Sequence, residues 1–391
     1  MSRHRVVLPD VRRDRTGGGA PAVTSMELFF DLVYVFAITQ LSRRLDDHLT
    51  VRGAVETLIL FLAVWWAWNY TAWATNWVDP DRGLVRILVV ALMLLSLVMS
   101  AAIPAAFTSR ALVFASAYVA IQLVRSAFMV VALRGERMSR NYAQLLAWSA
   151  IAGVAWIAGA LLHGDARLVV WIVALVLDYG APLHGFALPV LGRTPTRDWT
   201  LAGRHLAERN QLVVLIALGE SILAIGLTFS RLAFTGPVVA SFVVGFLGSV
   251  SLWWIYFVRY AEAAQRAIAA SPDPTRLARA GYAYAHGIMV AGVIVVAVAI
   301  EQTIAHPTGD ASTAAAAAII GGPAIYLAGN ALFNYTLAGQ PPWSRLLGIA
   351  ALALLVPVAV VATPLTLAAL ATAVTLALAL FSGTPTTRGA A

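Results

Sequence analysis

Apolar residues run in blocks of about twenty, separated by short polar stretches, from residue 26 to residue 382. A block of that length with few charges matches a helix crossing a hydrocarbon core of roughly 30 Å. Twelve blocks qualify: 26–42, 54–74, 84–106, 111–133, 142–162, 167–189, 206–229, 237–258, 281–304, 313–336, 344–362 and 364–382. The pattern predicts an all-α, polytopic integral membrane protein of about twelve transmembrane helices. The first block is short for the core. Little more than Thr363-Pro364 divides the last two, which read as a tight hairpin or as one broken helix.

Recurring features admit a six-plus-six parallel repeat. Glu27 opens the first block and Glu208 the seventh. Trp65-Trp66 lies in the second and Trp253-Trp254 in the eighth, and Tyr118 and Tyr326 fall in similar places. On this reading the organisation is an Arg-rich flexible tail (1–25), a first six-helix half (26–189), a linker (190–205), a second half (206–382) and a short tail (383–391). No small-residue cleavage site follows an apolar core of the right length, so the first tail does not read as a signal peptide and the first helix reads as a retained anchor.

Composition agrees with the pattern: 60% of residues are hydrophobic and only 12% charged, about half the charged share of a soluble domain. All 27 basic residues are arginine. With the N-terminus in the cytoplasm, six (Arg43, Arg44, Arg52, Arg110, Arg167 and Arg231) fall outside. Three (Arg86, Arg125 and Arg209) fall within helices, and the other eighteen fall inside. That bias predicts a cytoplasmic-membrane protein with both termini cytoplasmic, and it explains the net charge of +8 without nucleic-acid binding. The absence of cysteine excludes disulfides, thiolate catalysis and thiolate metal sites.

Ionisable residues at membrane depth are the candidate chemistry, because each is costly unless paired or wetted. Glu27 and Asp31 lie one turn apart on the first helix. Glu220 lies twelve residues past Glu208, about 18 Å further along the seventh helix. Asp178 and Arg125 fall at comparable depth in the sixth and fourth. An unpaired charge there costs at least about 2.5–3.5 kcal/mol, so Arg125 is expected to meet Asp31, Asp178 or Glu220. The candidate polar cluster is Glu27, Asp31, Arg125, Asp178, Glu208 and Glu220. It reads either as a translocation or proton pathway or as a salt-bridge network that holds helices together. A catalytic role is disfavoured. Gly219-Glu220-Ser221 lacks the nucleophile-elbow pattern, and the histidines are scattered. No catalytic residue, cofactor or metal is expected. The tryptophans around Trp65 to Trp77 read as an interfacial aromatic belt, Tyr282 and His286 as helix-interface residues, and Asn330 and Asn334 as interhelical hydrogen bonders.

Two stretches resemble hallmarks of a known family. MELFFDLVYVFAITQLS at 26–42 is similar to the opening motif of the bacterial low temperature requirement A family. AERNQLVVLIALGESILAIG at 207–226 is similar to its second hallmark. The resemblance implies a multi-pass bacterial membrane protein linked by name to growth in the cold, with the motif acids on Glu27, Asp31, Glu208 and Glu220. Phe30-Asp31-Leu32-Val33-Tyr34 also resembles the first-helix motif of a potassium-channel family, although Phe29-Phe30-Asp31 lacks that family's serine. The expected partners are the lipid bilayer and an ion or small solute, and no enzymatic activity is expected.

Overall fold

The computed structural model describes residues 11–13, 23–189, 192–199, 201–258, 271 and 273–381. Most of the Arg-rich segment, Arg259 and Arg266 of the long loop, Pro272 and the final tail lie outside the described residues. Among those described, the chain is helical throughout, with two isolated bridges and no strand. Twelve helices are long and apolar enough to cross a membrane: α1 (Ser25–Asp47), α2 (Val51–Trp77), α3 (Gly83–Ala105), α4 (Ala111–Ala132), α5 (Arg137–Leu161), α6 (Gly164–Leu183), α7 (Gly203–Phe229), α8 (Gly236–Phe257), α9 (Pro274–Ala305), α10 (Thr313–Ala338), α11 (Trp343–Val360) and α12 (Pro364–Phe381). The all-α polytopic architecture read from the sequence therefore holds.

Several helices outrun their apolar blocks, because capping and ion pairs carry them into polar sequence. At the start of α1, Thr24 and Glu27 form a capping box. The Glu27 amide donates to Thr24 Oγ1 (3.3 Å) and the Thr24 amide donates to Glu27 Oε2 (2.9 Å). At its far end, Arg44 donates to Glu56 Oε2 (2.6 Å) and Arg52 to Glu56 Oε1 (3.0 Å), which ties α1 to the start of α2. Thr50 caps α2 by accepting from the Gly53 amide (3.1 Å). Gly339 ends α10 at φ 65°, a left-handed cap that suits glycine. The last two blocks are separate helices packed on each other, with a short 3-10 turn (Val358–Val360) before Pro364.

The chain divides into two compact units: Met1–Tyr34 with Leu62–Leu206, and Val35–Phe61 with Ala207–Ala391. The stretch 35–61 thus belongs with the later part of the chain, unlike in the halves drawn from sequence.

In the first unit, α4 packs between α3 and α5, and α5 packs on α6. The tryptophans of α2 are core here and not an interfacial belt: Trp65, Trp66, Trp68, Trp73 and Trp77 are all buried. Trp66 stacks on Tyr179 at 3.9 Å, and Trp77 meets Tyr142 edge-on at 5.8 Å. Trp199 closes on the same pair, so part of the expected linker is docked. Of the Arg-rich segment, residues 11–13 are docked as well. The Asp79 amide donates to the Val11 carbonyl (2.9 Å) and the Arg13 amide to the Trp77 carbonyl (2.9 Å).

In the second unit, α9 and α10 pack most closely, because glycines remove the side chains between their backbones. A Cβ on Gly292 would lie 2.4 Å from the Tyr326 amide nitrogen, and one on Gly329 would lie 2.6 Å from that of Met289. Hydroxyls bond α8 to its neighbours: Ser249 to Ser221 (2.9 Å), Ser251 to Thr375 (2.7 Å), and Tyr326 Oη to the Leu252 carbonyl (2.8 Å). A π-helical segment (Arg279–Ala285) within α9 carries His286 to the Gly281 carbonyl (Nδ1, 2.8 Å). Nδ1 must then bear the proton, and Nε2 accepts from Tyr256 Oη (2.8 Å). His286 is thus a buried interface residue, as expected. Asn330 accepts from Arg345 Nε (2.9 Å) across α10 and α11, also as expected.

Candidate functional site

One face of α7 carries Glu220, Leu223, Ala224, Leu227 and Thr228, at spacings of three and four that place them in one stripe, and Arg231 follows just past its end. One face of α1 carries Thr39, Arg43, Asp46 and Asp47 at the same spacings. Within the second unit these two stripes and Glu301 of α9 line a polar cavity of about 390 Å³. That is the size of pockets that hold small molecules.

The cavity runs from exposed to buried. Asp47, Arg43 and Arg231 are exposed near the ends of α1 and α7, and Asp46 and Glu301 are half-buried. Glu220, only 5% exposed, lies nine residues before the end of α7, about 14 Å along the helix axis. Its Oε2 accepts from Thr39 Oγ1. Asp46 Oδ1 accepts from Gln302 (2.8 Å). Among the described residues none of the lining charges forms an ion pair within 4 Å. Nor do three metal-ligating side chains converge. Four carboxylates and two guanidiniums spaced this way make a polar, net-acidic lining and not a stapled ion-pair network among the described residues.

The other residues singled out from sequence lie elsewhere. Glu27 belongs to the first unit, where its carboxylate also accepts from Arg13 (3.1 Å) and meets His205 Nε2 (2.9 Å). Asn76 holds His205 through Nδ1 (3.1 Å). Glu27 is therefore first of all a helix cap and the centre of a buried polar knot. Asp31 accepts from Trp68 Nε1 (2.9 Å). Asp178 accepts through one oxygen from Tyr118 (2.7 Å) and Trp156 (2.9 Å). Glu208 is half-buried near the start of α7, beside the fully buried Arg209.

The ion pair expected for Arg125 does not form among the described residues. Its guanidinium is fully buried and donates to Gln122 Oε1, and more distantly to the Ala67 carbonyl and Thr71 Oγ1 (3.5 Å each). It also lies over the Tyr70 ring at 5.1 Å. The physical reason is that buried acids and the buried arginine find different partners. Indole and phenol groups donate to the carboxylates, while carbonyl, amide, hydroxyl and π-face groups receive the cation. Within the Trp-rich run Trp68 was the signal for this, since its buried indole N–H donates to Asp31.

Sequence reasoning also missed Thr39, Arg43, Asp46, Asp47, Arg231 and Glu301 as a set. The i, i+4, i+7, i+8 spacing of the α1 residues was visible, but nothing in the sequence aligns that stripe with those of α7 and α9.

Comparison with known proteins accords with this architecture. The family model described as "Bacterial low temperature requirement A protein (LtrA)" matches residues 22–380. An uncharacterised protein of Rhizobium meliloti (strain 1021) is 39% identical over 333 residues, covering 83% of this chain and 80% of that protein. No solved structure matches.

Proposed function

From the premise that this chain belongs to the bacterial low temperature requirement A family, we propose that it moves an ion or small solute across the cytoplasmic membrane, with the Glu220 cavity as one vestibule of the pathway. The observation that carries the reading is the graded polar cavity of the second unit, open near the helix ends and closed on a buried acid. A purely structural acid has no use for about 390 Å³ of polar space beside it. The arginine bias supports a cytoplasmic N-terminus, which makes the vestibule face the outside. The reading is non-enzymatic.

A second reading suits the first unit, where Asp178 and Asp31 are met by aromatic donors, as expected of groups that hold helices together. The two readings assign different roles to different acids.

A flux screen in proteoliposomes tests both. Wild-type protein should carry flux of at least one small cation or polar solute. Glu220→Gln should remain monodisperse and lose at least tenfold of that flux, while Asp178→Asn should keep most of it. Full flux through folded Glu220→Gln protein would sink the vestibule reading.

A further inference from the structure

Thr39 has one hydroxyl proton and two acceptors in reach. Its Oγ1 lies 3.1 Å from the Val35 carbonyl, one turn back in α1, and within hydrogen-bond distance of Glu220 Oε2. Only one of them can receive the proton at a time. Among the described residues Glu220 has no other hydrogen-bond partner, and its carboxyl lines the cavity while the residue is 95% removed from solvent.

We propose that Glu220 is a proton-loading site and Thr39 its switchable partner. This rests on the vestibule reading and names the proton as a bound species of that cavity. With Glu220 ionised, Thr39 O–H donates to the carboxylate. When a proton arrives from cavity water, Glu220 becomes a carboxylic acid and donates its own O–H to Thr39 Oγ1. The Thr39 proton then turns to the Val35 carbonyl. The proton count balances: one proton enters the carboxyl, and the hydroxyl proton only changes acceptor. No buried donor or acceptor of the pair loses its partner in either state, so neither state carries the penalty of an orphaned polar group. A serine or threonine back-bonded within its helix is ordinary, but one whose second acceptor is a cavity-lining acid on another helix is not.

The charged groups around the pair come from each wall: Arg43, Asp46 and Asp47 on α1, Arg231 past the end of α7, and Glu301 on α9. Both signs are present around the pair.

The test is equilibrium infrared difference spectroscopy of the full-length protein in nanodiscs, read between acidic and alkaline buffer, with no flux required. Wild type should show a carboxylic-acid C=O band that grows as pH falls. Glu220→Gln should remove the largest component, and Glu301→Gln should leave that component in place. Thr39→Val should keep the band but move its midpoint to higher pH by about one unit. The ionised form loses the stronger, charge-assisted hydrogen bond. Thr39→Ser should restore the wild-type midpoint. A band unchanged by Glu220→Gln, or a Thr39→Val midpoint equal to wild type, overturns the proposal, and the threonine variants keep the test open should Glu220→Gln misfold. A positive titration in protein that carries no flux would sink the transport reading alone.

Discussion

Asp178 illustrates how a buried acid is held without a direct ion pair. One of its oxygens receives Tyr118 and Trp156, so the carboxylate is held by two neutral donors in a dry setting. Replacement by asparagine keeps a carbonyl oxygen there, and the expected loss is about 1 kcal/mol. Replacement by leucine strands both donors, and the expected loss is about 2–6 kcal/mol, at about 1–3 kcal/mol per orphaned group. Thermal unfolding in detergent separates the two; equal losses would show that the donors find other partners. Thr24 works at the same scale. Thr24→Ala removes half of the capping box and should cost about 0.5–2 kcal/mol while leaving Glu220-dependent flux intact.

At the scale of elements, adjacent glycines in α10 should behave differently. A Cβ on Gly322 would lie 2.8 Å from the Val296 amide nitrogen, so Gly322→Ala must push α9 and α10 apart. At Gly321 nothing lies within 4 Å, and alanine there should be neutral or stabilising by up to about 1 kcal/mol. A melting-temperature comparison checks the pair, and equal effects would mean that the α9 and α10 contact is looser than its backbone spacing indicates. Trp253 and Trp254 on α8 are each 38% exposed, whereas the α2 tryptophans are buried, so two similar dipeptides serve different surroundings.

For the whole molecule, the topology and the cavity make a joint prediction. The chain has no cysteine, so single replacements report cleanly. Thr228→Cys, in the cavity lining, should react with a membrane-impermeant thiol reagent added from outside intact cells. Ala297→Cys, fully buried on α9, should stay unmodified. Labelling of Thr228→Cys only after the cells are opened would reverse the orientation taken from the arginine bias.

The number of helices, their approximate limits and the all-α class could be read from sequence. Each depends on the length and hydropathy of a continuous segment, which is local information. The family hallmarks were also legible, because they are contiguous. The partners of the charges were not. Depth along a helix can be counted at 1.5 Å per residue, but rotation of one helix against another cannot. Arg125 and Asp178 fall at similar depths, yet one is met by Gln122 and backbone, the other by Tyr118 and Trp156. Glu220 could be placed deep in α7 from its position alone. Only the tertiary structure set it beside Thr39 and at the end of a polar cavity, because that needed the stripes of α1 and α7 and Glu301 of α9 to converge.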